Sequence, residues 1–228
     1  MELIIIVIAT IAIIIVNSMM KINKKELERI ALNSKLNEIA EKYPKNTEIC
    51  KSILKKLGNE STKIDEDINS EATLYIVIQD KISIGNTHGS FSRIQTVAHE
   101  CLHSIQDKRM LLFNFIYSNI YFIYFLSICL LSILGKLPNN MVFSNILLIL
   151  SFIYYVIRIF LENDAMIKAE YVAKQYMDDE NISSKEEIDN VCEGFKRLND
   201  GMIKGINCDI FVKIMRKVII FNVLALIF

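Results

Sequence analysis

Residues 93–106 read Arg93-Ile94-Gln95-Thr96-Val97-Ala98-His99-Glu100-Cys101-Leu102-His103-Ser104-Ile105-Gln106. Read as a helix, this stretch puts His99 and His103 on one face, four residues apart, where two imidazoles can close on one metal ion. Glu100 lies one step round the helix, within reach of a water on that ion but badly placed to be a ligand. This is the H-E-x-x-H arrangement of two zinc ligands and a general base. A catalytic zinc takes three protein ligands and keeps one position open, so the rest of the fold must return a third ligand to this helix. The competing reading is a solvated helix turn that carries two histidines and a glutamate by chance.

Working outward, apolar residues make up 52% of the 228 and gather in blocks, which marks a membrane protein. The formal net charge is zero, and nothing points to nucleic acid; the basic residues group beside the apolar blocks. Cys50, Cys101, Cys129, Cys192 and Cys208 show no C-x-x-C spacing. They read as free thiols in a reducing compartment. Cys101 points away from the two-histidine face and is not expected to bind zinc.

The expected fold is a mainly α membrane protein in five parts. Residues 1–20 form an uncleaved transmembrane anchor: Glu2 precedes the apolar run, and Lys21, Lys24, Lys25 and Arg29 follow it on the cytoplasmic side. Residues 21–110 form a small cytoplasmic α+β region. It begins with a helix through Leu27, Ile30, Ala31, Leu36, Ile39 and Ala40 that stops at Tyr43-Pro44. A second helix, capped by Asn46 or Thr47, runs to Gly58. The acidic stretch 61–70 reads as loop, and residues 73–78 and 81–84 as a short β-hairpin. Such a ribbon can hold an extended peptide at its edge or merely cover the motif helix. Residues 111–161 form a transmembrane helical hairpin. Its turn carries only Lys136, while Lys108, Arg109, Arg158 and Lys168 flank the open ends, so those ends face the cytoplasm. Asn119 and Asn145 inside the spans read as interhelical hydrogen-bonding groups. Residues 162–205 form a cytoplasmic helical region, and residues 206–228 a C-terminal helix that crosses the membrane or lies along it.

The hairpin returns the chain to the face it left, so Glu162 emerges where His103 went in and is the expected third ligand. Asp164 and Glu170 are its rivals, although each has a lysine four residues on (Lys168, Lys174) with which it can pair on the helix surface. Asp164 can instead orient one of the histidines. Tyr171, Tyr176 and His88 are candidates for stabilising an oxyanion.

Three pieces of this sequence resemble the bacterial membrane-bound neutral zinc metallopeptidases of the YugP type. Residues 47–54 look like that family's short helix ahead of its strand region. Val97 to Gln106 is similar to its A-H-E-x-G-H-A-x-Q core. Leu161-Glu162-Asn163-Asp164-Ala165, with Ala169, matches its L-P-x-E-F-D-A-S-x-x-A stretch, whose glutamate is taken as the third zinc ligand. Leu102, Asn163 and Met166 stand where the family has Gly, Phe and Ser, and its D-H-Y-D-P segment is absent. The resemblance implies a Zn2+-dependent endopeptidase of the gluzincin kind and gives no substrate.

The expected protein is thus a multi-pass cell-membrane metallopeptidase with its site on the cytoplasmic side. Zinc is held by His99, His103 and Glu162, Glu100 is the general base, and the substrate is a peptide or membrane protein presented at the lipid bilayer. The alternative is a non-catalytic zinc- or peptide-binding membrane adaptor.

Overall fold

The computed structural model describes residues 1–228 apart from 71, 87 and 88. In chain order the elements are α1 (Glu2–Met20), α2 (Lys24–Ala31), α3 (Ser34–Glu41), α4 (Asn46–Lys56), β1 (Lys63–Asp67), β2 (Leu74–Ile76), β3 (Lys81–Gly85), α5 (Arg93–Ile105), α6 (Lys108–Ile133), α7 (Asn140–Glu180) and α8 (Lys185–Ile227). The protein is mainly helical with one three-stranded sheet. It divides into two compact units. One comprises Met1–Ile22, Phe113–Phe160 and Lys204–Phe228; the other comprises Asn23–Leu112 and Leu161–Ile203.

The first unit holds the apolar helices. Among the described residues α1, α6 and α7 are long and apolar enough to cross a membrane. Their uniform hydrophobicity leaves Leu3, Ile8, Ile123, Phe152 and Phe160 exposed, as a helix facing lipid would. The core is Tyr121, Phe125, Ile128, Leu147, Val218 and Phe221. α6 ends where Gly135 takes a φ of 63°, letting the Lys136 N–H return to the Leu131 carbonyl at 2.9 Å. Asn119 and Asn145 do not join helices. Asn119 donates back to its own helix at Phe115 O, and Asn145 is exposed. The cross-helix bonds come instead from Tyr121 with Ser151 (2.9 Å), Tyr124 to the Phe143 carbonyl (3.1 Å) and Asn222 with Ser144 (2.9 Å). These groups face neighbouring helices, whereas Asn119 and Asn145 face outward. α8 is not among the helices apolar enough to span, because Asp209, Lys213, Arg216 and Lys217 interrupt it. Its later residues Val218, Phe221 and Asn222 are nevertheless fully buried in this unit's core.

The second unit differs from the sequence expectation in three places. The helix expected over residues 27–40 is two helices, because its apolar series skips position 34 and Asn33 caps the second piece at the Leu36 N–H. Asn46 caps nothing; it is buried and accepts from Arg93 at 2.6 Å. The acidic stretch after residue 60 is not all loop. Lys63–Asp67 forms β1, parallel to β3, while β2 pairs with β3 antiparallel, giving the order β1-β3-β2. Only Ile64 of β1 is partly buried, so its main-chain ladder holds it in place without the apolar alternation that betrays a strand. An Asp65–Lys81 ion pair at 3.0 Å adds to that ladder.

β3 buries Ile82 and Ile84 against the motif helix α5, whose apolar side (Ile94, Val97, Ala98, Cys101, Leu102) is wholly or almost wholly inaccessible. α5 packs on α4 through Ile49, Cys50 and Ile53 and lies against β2 and β3. The second half of α7 enters the same core with Ala165, Ala169 and Ala173, all fully buried at a spacing of four. A stripe of alanines lets two helix backbones approach closely. The first half of α8 closes the core with Ile188, Val191, Phe195 and Leu198.

Candidate metal centre

α5 begins at a fixed point. Arg93, at its first turn, is 3% exposed. Its Nη1 donates to the Pro44 carbonyl (2.9 Å) and Asn46 Oδ1 (2.6 Å), and its Nη2 to the carbonyls of Ala40 and Tyr43 (both 2.8 Å). Burial lowers the pKa of this guanidinium, with Tyr176 and Glu41 opposing. Four acceptors between the end of α3 and the start of α4 take up its two terminal nitrogens. One turn and a half later the chain reaches His99.

His99 and His103 stack edge to face, centroids 4.5 Å apart, and turn their Nε2 atoms toward each other at 3.0 Å. Glu162, on α7, brings Oε2 to 3.5 Å from His99 Nε2 and 3.7 Å from His103 Nε2. These three side chains form a group able to hold a metal ion. A tetrahedral ion with bonds of about 2.0–2.1 Å separates its ligand atoms by roughly 3.3 Å, and the observed triangle brackets that value. The donor set, two imidazole nitrogens and one carboxylate oxygen, fits a divalent metal. All three side chains lie in the same compact unit.

Glu100 stands beside this triangle. Its Oε1 is 3.8 Å from His99 Nε2, while Oε2 accepts the backbone N–H of Tyr75 at 2.6 Å. Tyr75 belongs to β2, an edge strand, and this N–H faces away from β3 toward the site. Burial raises the Glu100 pKa, and the imidazoles of His99 and His103 and the Tyr75 N–H pull it back only in part. For His103, burial works against the charged ring, but Glu162, Glu100 and Gln106 together outweigh it and raise the pKa above the usual imidazole value.

The rival acids go elsewhere. Glu170 accepts from Asn199 Nδ2 at 2.6 Å, and Lys174 pairs with Asp189, not with Glu170. Asp164 pairs with Lys168 at 2.6 Å and also accepts from Gln106 Nε2 at 3.1 Å. It therefore touches the amide of Gln106 and not an imidazole. Tyr176 is buried against Tyr43, and Tyr171 is 71% exposed. At 1.5 Å per residue they sit about 21 and 14 Å along α7 from Glu162, too far to stabilise an oxyanion there. His88 lies outside the described residues. Cys101 is fully buried on the opposite face, its Sγ 3.6 Å from that of Cys50.

Sequence reasoning missed three groups that shape the centre: the Arg93 fork, the Tyr75 N–H and the side chain of Gln106. Gln106 alone had a readable signal, since it sits three residues after His103 and so on the same face. The chain matches no family profile, no curated protein and no solved structure.

Proposed function

We propose that the protein is a membrane-embedded zinc metallopeptidase with His99, His103 and Glu162 as ligands and Glu100 as general base. One observation carries this reading. The ligand triangle has the spacing of a tetrahedral site, and the buried carboxylate next to it is held by an edge-strand amide instead of joining the triangle. A structural zinc site closes with four protein ligands, whereas a catalytic one keeps a position open. Zinc held by His99, His103 and Glu162 would supply Lewis acidity for activating water and polarising the scissile carbonyl. Glu100 accepts a proton from the water that attacks the scissile carbonyl carbon, and delivers it to the amine nitrogen as the C–N bond breaks. β2 is an edge strand beside Glu100, which favours an extended peptide as substrate. The three motifs that resemble the YugP-type metallopeptidases, and the order of the spans around them, support the same reading.

The apolar helices and the lysines and arginines at their ends favour a multi-pass protein with the site on the cytoplasmic side, acting on peptides or membrane proteins at the bilayer. The test uses the full chain in detergent: zinc content and cleavage of an unfolded protein, for wild type and Glu100→Gln. The expected result is equal zinc in both and cleavage by wild type alone. Zinc in both with cleavage by neither would favour the membrane adaptor, and equal cleavage by both would remove Glu100 as base.

A further inference from the structure

The amide of Gln106 sits among three partners. Its Nε2 lies 2.9 Å from the Leu161 carbonyl and 3.1 Å from Asp164 Oδ2, and its Oε1 lies 2.8 Å from His103 Nδ1. A primary amide has one NH2 with two hydrogens and one acceptor oxygen. The Leu161 carbonyl can only accept, and so can the Asp164 carboxylate, which the Lys168 ammonium neutralises at 2.6 Å. Both NH2 hydrogens are therefore committed. Flipping the amide would set its oxygen against two acceptor oxygens about 3 Å away and lose both bonds. Hence Oε1 faces His103, and Nδ1 of that ring must bear the hydrogen.

We infer that Gln106 is a positioning residue that fixes His103 as its Nδ1–H tautomer, leaving the Nε2 lone pair aimed at the metal position, and that it ties this ring to α7 beside Glu162. The same amide that orients one ligand grips the carbonyl immediately before another, so two ligands from helices far apart in sequence share one hydrogen-bonded clamp. α5 ends at Gln106, whose backbone turns extended there (ψ 160°), and this frees the side chain to reach across. Partners of this kind beyond the ligands change metal affinity by roughly 10–100-fold. The inference rests on the ligand reading of His99, His103 and Glu162, but its first test needs no metal.

That test is nitrogen-15 spectroscopy of the histidine rings in the metal-free full chain, with His99→Ala and His88→Ala variants assigning the signals. The expected spectrum shows neutral His103 protonated on Nδ1; protonation on Nε2 overturns the inference. Zn2+ affinity is then measured by chelator competition. Gln106→Met should bind roughly 10–100-fold more weakly and should lose the Nδ1–H preference. Gln106→Glu keeps the acceptor for His103 but sets a carboxylate against Asp164 and Leu161 O, and should also bind weakly. The Gln106→Glu/Asp164→Asn pair returns a donor at position 164, so it should recover part of the loss while Asp164→Asn alone should not improve on wild type. Zn2+ binding by Gln106→Met within twofold of wild type, or a double variant no better than Gln106→Glu, refutes the clamp. Should Gln106→Met fail to fold, the Glu and Glu/Asn variants decide. Should wild type bind no Zn2+, the proposed function falls, and the tautomer spectrum still decides this inference.

Discussion

Replacing Arg93 by methionine tests how the motif helix is anchored. The side chain makes four hydrogen bonds to neutral acceptors. A hydrogen bond from a charged donor contributes a net of about 1.5–3 kcal/mol once desolvation is counted, and such bonds from one side chain do not add fully. Methionine fills the volume but makes none of the four, so a cost of about 3 kcal/mol is expected for Arg93→Met. For a unit of this size that corresponds to a melting temperature lower by roughly 10 °C. Arg93→Lys keeps the charge but concentrates its donors at one point, so it should recover only part of the loss. Pulse proteolysis of the full chain in detergent across a urea series reads the stability of the unit containing α5. A cost below about 1 kcal/mol for Arg93→Met would show that the carbonyl cage does not anchor the helix, and the account given for residues 40–46 would fail.

Four further outcomes are expected. Glu162→Ala should lose stoichiometric zinc while Asp164→Ala loses about tenfold in affinity or less; equal zinc in Glu162→Ala and wild type would remove Glu162 as a ligand. The Lys108 ammonium, against some opposing burial and with help from Tyr75 and Thr62, holds the Asp80 pKa below its usual value. Asp80 therefore contributes stability above the ordinary carboxyl pKa of about 3.9, and loses it as pH falls through its lower folded value. Asp80→Asn should cost about 1 kcal/mol at neutral pH and nothing in strong acid, and a gap in urea midpoint that persists in strong acid would contradict this. A Cβ at Gly85 would meet the Ala72 carbonyl oxygen at 2.6 Å and the Ser70 carbonyl oxygen at 2.8 Å, so Gly85→Ala should destabilise by about 1–3 kcal/mol in the same urea assay. Hydrogen bonding to Cys50, together with burial, raises the Cys101 pKa well above the usual thiol value; Cys50 and Cys101 should resist alkylation until the chain unfolds, and rapid labelling in the native protein would show that α4 and α5 separate.

How far the sequence could be read depended on whether a feature shows in side-chain pattern. The motif helix, the apolar helices and the antiparallel β2–β3 pair follow from residue periodicity and apolar length, which are local. The meeting of His99, His103 and Glu162 was legible because an i, i+4 spacing and a returning helix hairpin suffice to predict it. β1 was not, because five mostly exposed residues are held by main-chain bonds that leave no mark on composition. The break at Asn33 shows only as a missing apolar residue, and an asparagine reads equally well inside a loop or at a cap. Asn119 and Asn145 were misplaced because helical phase decides whether an amide meets a neighbouring helix, and an almost uniformly apolar helix hides its phase. Arg93 and Gln106 reach partners far away in sequence, most of them backbone carbonyls that every residue possesses.

One consequence of the contact between Tyr75 and Glu100 concerns mutagenesis itself. The donor is a main-chain amide, so it survives every ordinary replacement of the side chain at position 75, alanine included. A conventional alanine scan would record this position as indifferent to the carboxylate it holds. Only proline, which lacks the hydrogen, or an ester in place of the amide would uncover the dependence.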